Sequence, residues 1–251
     1  MLEINDVTVR YGERDAVDHL SFALQEGQWL MLVGPNGAGK STMIEAISQG
    51  VPYTGKILLE GTDIRRFKPM QLARKIGVLS QKNAVGYAYT VGEIVGLGRY
   101  AHCSGFLSGR DDEGKERIER ALELTGLTGL RHASVLTLSG GELQRTFLAQ
   151  VFAQDPKLLI LDEPANHLDL KYQQHIFSLI GDWLQTPGRA VISVVHDLSL
   201  ARKYGTHAVL LHQGQSIAWG ATHEVLTPEN LQTVYAMDVY GWMHEMLEQW
   251  S

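Results

Sequence analysis

Alternating hydrophobic and polar positions dominate the first part of the chain and predict strands there. The apolar residues of "LEINDVTVRY" alternate imperfectly, and "LSFALQEGQWLMLVG" runs into an apolar stretch that ends at Gly34. The spacing then changes, because Met43, Ile44 and Ile47 recur at helical intervals, which predicts a helix that begins near Lys40. Two further strands are predicted in "GKILLEGTDI" and "KIGVLSQ".

The pattern changes near residue 85 and stays mainly helical to about residue 150. In this region "DDEGKERIERALELTGL" places Ile118, Leu122 and Leu124 on an otherwise charged helix. After residue 150 strands and helices alternate again, in "KLLILDE", "YQQHIFSLIGDWLQ", "AVISVVHD" and then "HAVLLHQGQSIAWG", which predicts two strands about Gly214. The sequence therefore predicts an α/β core interrupted by a helical insert.

One segment at the start of this insert is ambiguous, "YTVGEIVGLGRY" at residues 89–100. Val91, Ile94 and Val95 have the spacing of an apolar helix face, whereas the three glycines disfavour a helix. One interpretation is a short core helix with a glycine stop. The other is a nucleotide-binding turn that contains "GLG", although this signal is weak without a preceding strand.

Composition narrows the class of protein. The 251 residues are 44% hydrophobic and 20% charged, and no uninterrupted apolar run of about 18 residues could span a bilayer. The start "MLEINDVTVRYGE" lacks the basic and apolar blocks of a signal peptide, and the single cysteine, Cys103, excludes an internal disulfide. The formal charge of −6 argues against nucleic-acid binding, in which lysine and arginine normally neutralise phosphates. We expect a cytosolic protein.

A glycine-rich segment, "GPNGAGKST", lies between the predicted apolar strand and the first predicted helix, and it matches G-x-x-x-x-G-K-[ST] in full. Such glycines let backbone N–H groups point at phosphate oxygens, and the following helix presents its positive end to the same charge. Lys40 is expected to reach the β- and γ-phosphates, and Ser41 to bind Mg²⁺. The alternative is a glycine turn that only connects strand and helix. The predicted nucleotide-binding residues here are Gly34, Pro35, Asn36, Gly37, Ala38, Gly39, Lys40, Ser41 and Thr42.

The segment "LLILDEP" supplies two acidic residues at the end of an apolar strand. Asp162 suits a water-mediated contact to the metal, and Glu163 is placed to polarise an attacking water as a general base. Taken alone, two adjacent acids after a strand could equally be a solvated turn.

A third motif, "LSGGELQR" from Leu138 to Arg145, decides between these alternatives. As a local structure, it lets Ser139 cap a helix whose first turn contains Glu142. Together the three motifs resemble those of the ATP-binding subunits of ABC transporters, and the resemblance covers nearly the whole chain. The family pattern is also met by four single residues, which are Gln81 after "GVLS", Asp169 in "NHLD", His196 after "VISVV" and Tyr11 at the adenine position. One departure is Ala165, where a threonine is common, and we see no catalytic role that it removes.

The resemblance implies the ABC ATPase fold, which is an α/β fold. It has a P-loop NTPase (RecA-like) core, an antiparallel β subdomain and an inserted α-helical subdomain. The predicted single domain covers residues 1–251. Its nucleotide-binding core is expected at 1–84 and 151–226, the helical signature subdomain at 85–150 and a C-terminal helical tail at 227–251.

In this family two subunits pack head to tail, and each ATP lies between the phosphate loop of one and the signature motif of the other. The resemblance therefore implies a homodimer in which the signature residues contact the nucleotide bound by the neighbour. These residues are Ser139, Gly140, Gly141 and Glu142. Asp169 would join the two sites across the interface.

The resemblance also assigns roles in hydrolysis. Glu163 would be the general base, and His196 would hold the γ-phosphate and the attacking water. Gln81 would contact Mg²⁺ together with Ser41 and Asp162 and would sense the helical insert. Tyr11 would stack on adenine. From the residues alone, Tyr11 could also be a surface tyrosine and His196 an ordinary hydrogen-bonded polar residue.

Two short segments indicate the cargo class. "YTVGEIVGLGRY" and "TPENLQTVYAMDVY" resemble the importer ATPases that serve ferric siderophores, haem and cobalamin. That subgroup works with two integral membrane permease subunits and an external substrate-binding protein. The expected location is then peripheral, on the cytoplasmic side of the inner membrane. The rival functions are a soluble ABC ATPase that acts on DNA or ribosomes and a transporter subunit, such as an exporter's, for a different cargo.

The resemblance gives "YTVGEIVGLGRY" a third interpretation, as the surface that receives a coupling helix of the permease. The nucleotide-turn interpretation is dropped, because a better phosphate loop lies elsewhere in the chain. Val91, Ile94 and Val95 would then point inward. Arg99 and Tyr100 become candidates either for contact with the partner or for fixing the insert. In the tail, Thr227 can cap a helix that begins at Pro228. Further on, an apolar stripe could pack on the protein or contact a partner, through Trp242, Met243, Met246, Leu247 and Trp250.

Overall fold

The computed structural model describes residues 1–80, 86–102, 112–166 and 168–250. Within these ranges it has ten strands, β1 to β10, at Leu2–Tyr11, Arg14–Leu24, Trp29–Val33, Thr54–Leu59, Thr62–Asp63, Ile76–Leu79, Leu158–Asp162, Ala190–Val194, His207–His212 and Gln215–Ala221. Ten α-helices, α1 to α10, lie at Lys40–Ile47, Pro69–Ala73, Val91–Leu97, Asp112–Leu124, Gly140–Gln154, Leu170–Leu184, Leu198–Tyr204, Thr222–Val225, Pro228–Tyr235 and Val239–Glu248. None of the described helices is long and apolar enough to cross a membrane.

The chain divides into two compact units. The first unit combines Met1–Ile64 with Ile192–Ser251, and the second is Arg65–Val191. Strand β8 crosses the boundary between them. The subdomain boundaries drawn from the sequence stay predictions.

The first unit contains the expected antiparallel sheet, with strands in the order β2-β1-β4-β5. The imperfect alternation of β1 has a local cause, because the register against β2 shifts between Ile4 and Val7 and again between Val7 and Val9. Asp6 lies at the first shift and has a φ of 55°. These bulges keep Leu2, Ile4, Val7 and Val9 all buried, although they are not spaced two residues apart throughout.

The same unit contains a second group of strands, in which β3 lies between β9 and β8. β3 and β9 are parallel, with Leu30 opposite His207 and Val33 opposite Leu210. All five residues of β3 are buried, which accounts for its continuous apolar sequence. β9 and β10 form an antiparallel hairpin about Gly214, as predicted.

The second unit pairs β6 with β7 in parallel, and β8 neighbours β7. The ambiguous segment forms helix α3, as its apolar spacing predicted, and Val91, Ile94 and Val95 are buried. Gly98 follows this helix where it meets α5. A Cβ added there would lie 2.1 Å from the carbonyl oxygen of Gln150, so this close approach requires glycine.

The two residues after Gly98 differ in environment. Arg99 is only 7% exposed, and its Nη1 donates to the carbonyl of Ala153 at 3.2 Å. It therefore fixes the insert within the second unit. Tyr100 is 70% exposed and is accessible to a partner.

The tail begins as predicted. Thr227 caps α9 by accepting a hydrogen bond from the Asn230 N–H at 3.3 Å, and Pro228 is the first helical residue. Helix α10 is anchored through its first turn, where the Tyr240 hydroxyl donates to the carbonyl of Leu226 at 2.8 Å. Most of the apolar stripe is exposed, up to 88% at Trp250, so packing on the protein does not account for it.

Candidate nucleotide-binding site

In the first unit, the phosphate loop connects buried strand β3 to helix α1. Gly39 is the N-cap residue of α1, with a φ of 99°, and no side chain caps the helix. The first turn contains no acidic residue. The positive end of this helix therefore faces the loop, and no carboxylate of the helix's first turn neutralises it. Such a helix end suits an anionic ligand.

Lys40 lies with its side chain inside the loop. It is 6% exposed, and its Nζ donates to the carbonyls of Gly34 at 2.7 Å and Pro35 at 2.8 Å. A buried ammonium needs such acceptors. These two hydrogen bonds keep the Lys40 ammonium next to the backbone that would surround a phosphate.

The backbone conformation at Gly39 cannot accommodate a side chain. Its φ is left-handed, and an added Cβ would lie 2.4 Å from the carbonyl oxygen of Ala16. The glycine is thus required by the fold of the first unit itself.

Tyr11, at the end of β1, keeps half of its surface exposed. Its hydroxyl donates to Oε2 of Glu45 at 3.2 Å. Partial burial of the hydroxyl, followed by the negative charge of Glu45, raises the pKa of Tyr11. An exposed ring with a fixed hydroxyl is compatible with adenine stacking and with a surface tyrosine.

His196 lies between β8 and helix α7 in the first unit and is exposed. The next residue, Asp197, caps α7, because its Oδ1 accepts from the N–H groups of Ser199 at 2.7 Å and Leu200 at 3.3 Å. A buried strand before it and a capped helix after it define the backbone position of His196.

In the second unit, β7 ends at Asp162 and the chain turns at Glu163. The φ of Glu163 is 54°, a left-handed value that is costly for a non-glycine residue. Nδ2 of Asn166 donates to Oε2 of Glu163 at 2.6 Å. The Glu163 side chain is therefore held by a residue of the same turn.

The signature motif forms the amino end of helix α5 in the second unit, with the capping box that the sequence predicted. The Ser139 N–H and hydroxyl donate to Oε2 of Glu142 at 2.8 and 2.7 Å, and the Glu142 N–H donates to Oγ of Ser139 at 3.3 Å. The hydroxyl and backbone bonds from Ser139 lower the pKa of Glu142. Gly140 differs from Gly39, since a Cβ added at Gly140 would have no heavy atom of the described ranges within 4 Å.

Asp169 and Gln81 are two further predicted site residues. Asp169 caps helix α6, because its Oδ1 accepts from the Tyr172 N–H at 2.9 Å. This bond gives Asp169 a structural role within its own chain. Gln81 lies outside the described residues.

Comparison with known proteins identifies the arrangement. The family model described as "ABC transporter" matches residues 17–166, which is more than half of the chain. The chain belongs to the ABC transporter family. As an ABC ATPase it binds and hydrolyses ATP.

Two curated relatives and one solved structure support the assignment. The chain is 34% identical to the ferric enterobactin transport ATP-binding protein FepC of Escherichia coli K12, over 92% of this chain and 85% of FepC. It is 37% identical to the hemin import ATP-binding protein HmuV of Chelativorans sp. BNC1, over 94% of this chain and 91% of HmuV. The dimeric ATP-binding cassette MJ0796 bound to ADP and Pi has a TM-score of 0.78 and 25% identity, covering 88% of this chain and 99% of that one. The predicted ABC ATPase fold is thereby confirmed.

Two polar residues in the second unit of this ABC ATPase were not predicted as site residues from the sequence. Asn166 binds the Glu163 carboxylate, and Nε2 of Gln144 donates to the carbonyl of Pro164 at 3.0 Å. The position of Asn166, three residues after Glu163 in a turn, was a usable signal, because asparagine side chains commonly bind nearby groups in turns. Nothing in the spacing of Gln144 indicated its contact.

Proposed function

We propose that two copies of this chain bind head to tail and enclose ATP between the phosphate loop of one and the signature motif of the other. The observation that carries this proposal is the open space around Gly140, because no described atom of the chain lies within 4 Å of a Cβ added there. A glycine beside the exposed Ser139 lets another molecule approach the amino end of α5 closely. The similar cassette MJ0796 is a dimer.

The phosphate loop would bind the triphosphate through its backbone, α1 and Lys40. Mg²⁺ prefers oxygen ligands and usually keeps phosphate oxygens and waters among them. The exposed hydroxyl of Ser41 in the first turn of α1 fits this preference, and so does the partly exposed carboxylate of Asp162 at the end of β7. Gln81 is the third proposed ligand. When bound, Mg²⁺ would neutralise charge on the β- and γ-phosphates.

Hydrolysis would use Glu163 as the general base. Its carboxylate takes a proton from water while the water oxygen bonds to the γ-phosphorus. The bond from that phosphorus to the bridging oxygen breaks, and its electron pair leaves with ADP. His196 would position the γ-phosphate and water, Tyr11 would stack on adenine, and Asp169 would connect the two sites.

The permease would contact a surface of the second unit, which we call the docking surface and define by four exposed residues. They are Tyr87, Tyr89, Leu97 and Tyr100. Three tyrosines and a leucine around a helix whose other face is buried suit a protein partner, because aromatic residues are enriched at interfaces. We propose two integral membrane permease subunits as these partners, and through them an external substrate-binding protein. The chain would then be peripheral, on the cytoplasmic side of the inner membrane.

The proposed cargo is an iron(III)-siderophore, haem or a cobalamin-type compound. The relatives FepC and HmuV support the first two classes, because they are named for ferric enterobactin and hemin. The cobalamin-type alternative rests on the two short sequence segments alone. More than 90% of the chain aligns with these importer subunits at 34–37% identity, which favours this function over a ribosome- or DNA-directed ATPase.

Reconstitution in vesicles with the permease and binding protein tests this function. Binding protein loaded with one cargo class should stimulate ATP hydrolysis, and stimulation by none of them would contradict the cargo proposal. In the same vesicles Glu163→Gln should reduce turnover at least about 100-fold and trap an ATP-bound dimer, since the base is lost while binding is kept. Wild-type turnover in this variant would remove Glu163 from its role. Co-purification with ribosomes instead of membrane proteins would favour the rival function.

A further inference from the structure

A turn of four residues, Glu163 to Asn166, follows β7. Its last residue binds the side chain of its first. The turn closes when the Asn166 N–H donates to the carbonyl of Glu163 at 3.1 Å. The Asn166 side chain then reaches Oε2 of Glu163 at 2.6 Å. A carboxylate can only accept, so Nδ2 is the donor atom. Asn166 therefore binds both the backbone and the side chain of Glu163.

Two glutamine side chains hold the backbone of this turn. Gln144 of α5 donates to the carbonyl of Pro164 at 3.0 Å, and Gln173 of α6 donates to the carbonyl of Ala165 at 3.5 Å. Both carbonyls lie between Glu163 and Asn166. Because two helices anchor the intervening peptides, Asn166 is a donor on a fixed backbone.

We propose that Asn166 is a positioning residue that holds the Glu163 carboxylate in the orientation from which it takes the proton of the attacking water. The inference rests on the proposed role of Glu163 as the base. A glutamate side chain has three torsion angles, and most of its orientations would miss a bound water. A donor on a fixed turn removes many of these orientations before ATP binds.

The bond to Asn166 is compatible with base catalysis. A carboxylate has about four acceptor positions, so one amide bond at Oε2 leaves room for a water to donate as well. An amide that instead held the carboxylate away from the water would have the opposite effect on turnover. Removal of such a restraint would raise the basal rate.

Steady-state ATP hydrolysis by the full-length protein with Mg²⁺ tests the role. Asn166→Asp keeps the shape but replaces the donor by a second carboxylate, and Asn166→Ala removes the side chain. We expect kcat to fall about tenfold or more in both, with the KM for ATP within about twofold of wild type, because the lost bond is to a charged group that acts in the chemical step. Asn166→Ser restores a hydroxyl donor and should recover part of kcat.

A matched control is Asn230→Ala. Nδ2 of Asn230 also donates to an oxygen, the carbonyl of Val225 at 2.9 Å, in the tail of the first unit. This variant should keep wild-type kcat. Thermal unfolding and nucleotide-binding stoichiometry of every variant would show whether a lower rate reflects fewer folded molecules.

The outcomes separate this inference from the proposed function. Wild-type or higher kcat in both Asn166→Ala and Asn166→Asp would overturn it, as would a fall in rate matched by an equal fall in folded protein. If Glu163→Gln is inactive while the Asn166 variants are normal, only the positioning role fails. If Glu163→Gln is active, the proposed base itself is wrong.

Discussion

The phosphate loop and the signature motif both depend on glycine, but for different reasons. In the loop, Gly39 has a left-handed φ and lies too close to the carbonyl of Ala16 to carry a side chain. In the signature motif, Gly140 begins a regular helix, and among the described atoms none lies within 4 Å of a Cβ added there. The first glycine serves the fold of its own chain, whereas no described part of the chain requires the second to be glycine. In the proposed head-to-tail dimer, this open space is what would let the neighbouring copy's nucleotide approach Gly140.

The largest expected effect is that of Gly39→Ala. The left-handed φ and the contact with the Ala16 carbonyl should together lower the free energy of unfolding by about 2 to 4 kcal/mol, and the distorted loop should lose ATP binding. Chemical denaturation and nucleotide binding measure the two losses.

Gly37→Ala provides the control within the same loop. Gly37 has a φ of 79°, but nothing in the part of the chain that the structure describes lies within 4 Å of an added Cβ, so only the backbone strain of about 1 to 2 kcal/mol should appear. Equal stability of the two variants would contradict the assignment of a steric role to Ala16.

A smaller effect on folding but a clear effect on function is expected for Gly140→Ala. The free energy of unfolding should change by no more than about 0.5 kcal/mol, because the added methyl meets no atom of the residues that the structure describes. ATP hydrolysis should nevertheless fall about tenfold or more, since the methyl would intrude between α5 and the nucleotide of the neighbour. A stable variant with normal hydrolysis would remove the main support for the head-to-tail dimer.

The sequence was sufficient for features whose signals are local. The apolar run before Gly34 and the helical spacing after Lys40 predicted the strand, loop and helix, and the spacing of Ser139 and Glu142 predicted the capping box that the structure contains. These features depend on residues within four or five positions of each other.

Other features depend on backbone positions that distant segments determine. Gly98 is required because α3 and α5 approach closely at Gln150, a residue more than fifty positions away. The contact between Gln144 and the Pro164 carbonyl likewise joins two elements whose relative position no periodicity specifies. The burial of Arg99 follows from the same helix packing.

The smallest expected effects are those of variants in two capping boxes of the second unit. Thr90 and Glu93 begin α3 with the same bonds that Ser139 and Glu142 make at α5, and the pKa of Glu93 is lowered by its bonds to Thr90, as that of Glu142 is by Ser139. Thr90→Ala and Ser139→Ala should therefore each lower the free energy of unfolding by about 1 kcal/mol.

Only Ser139→Ala should also slow hydrolysis, by severalfold, in the isolated protein. The Ser139 hydroxyl is proposed to face the nucleotide of the neighbour, whereas the Thr90 hydroxyl caps a helix near the docking surface. Parallel denaturation curves and ATPase rates of the two variants measure both effects. If the two variants lose stability equally and also lose activity equally, then the loss of activity in Ser139→Ala results only from the loss of the helix cap. A selective loss in Ser139→Ala would mean that identical local geometry supports folding in one place and a shared ATP site in the other.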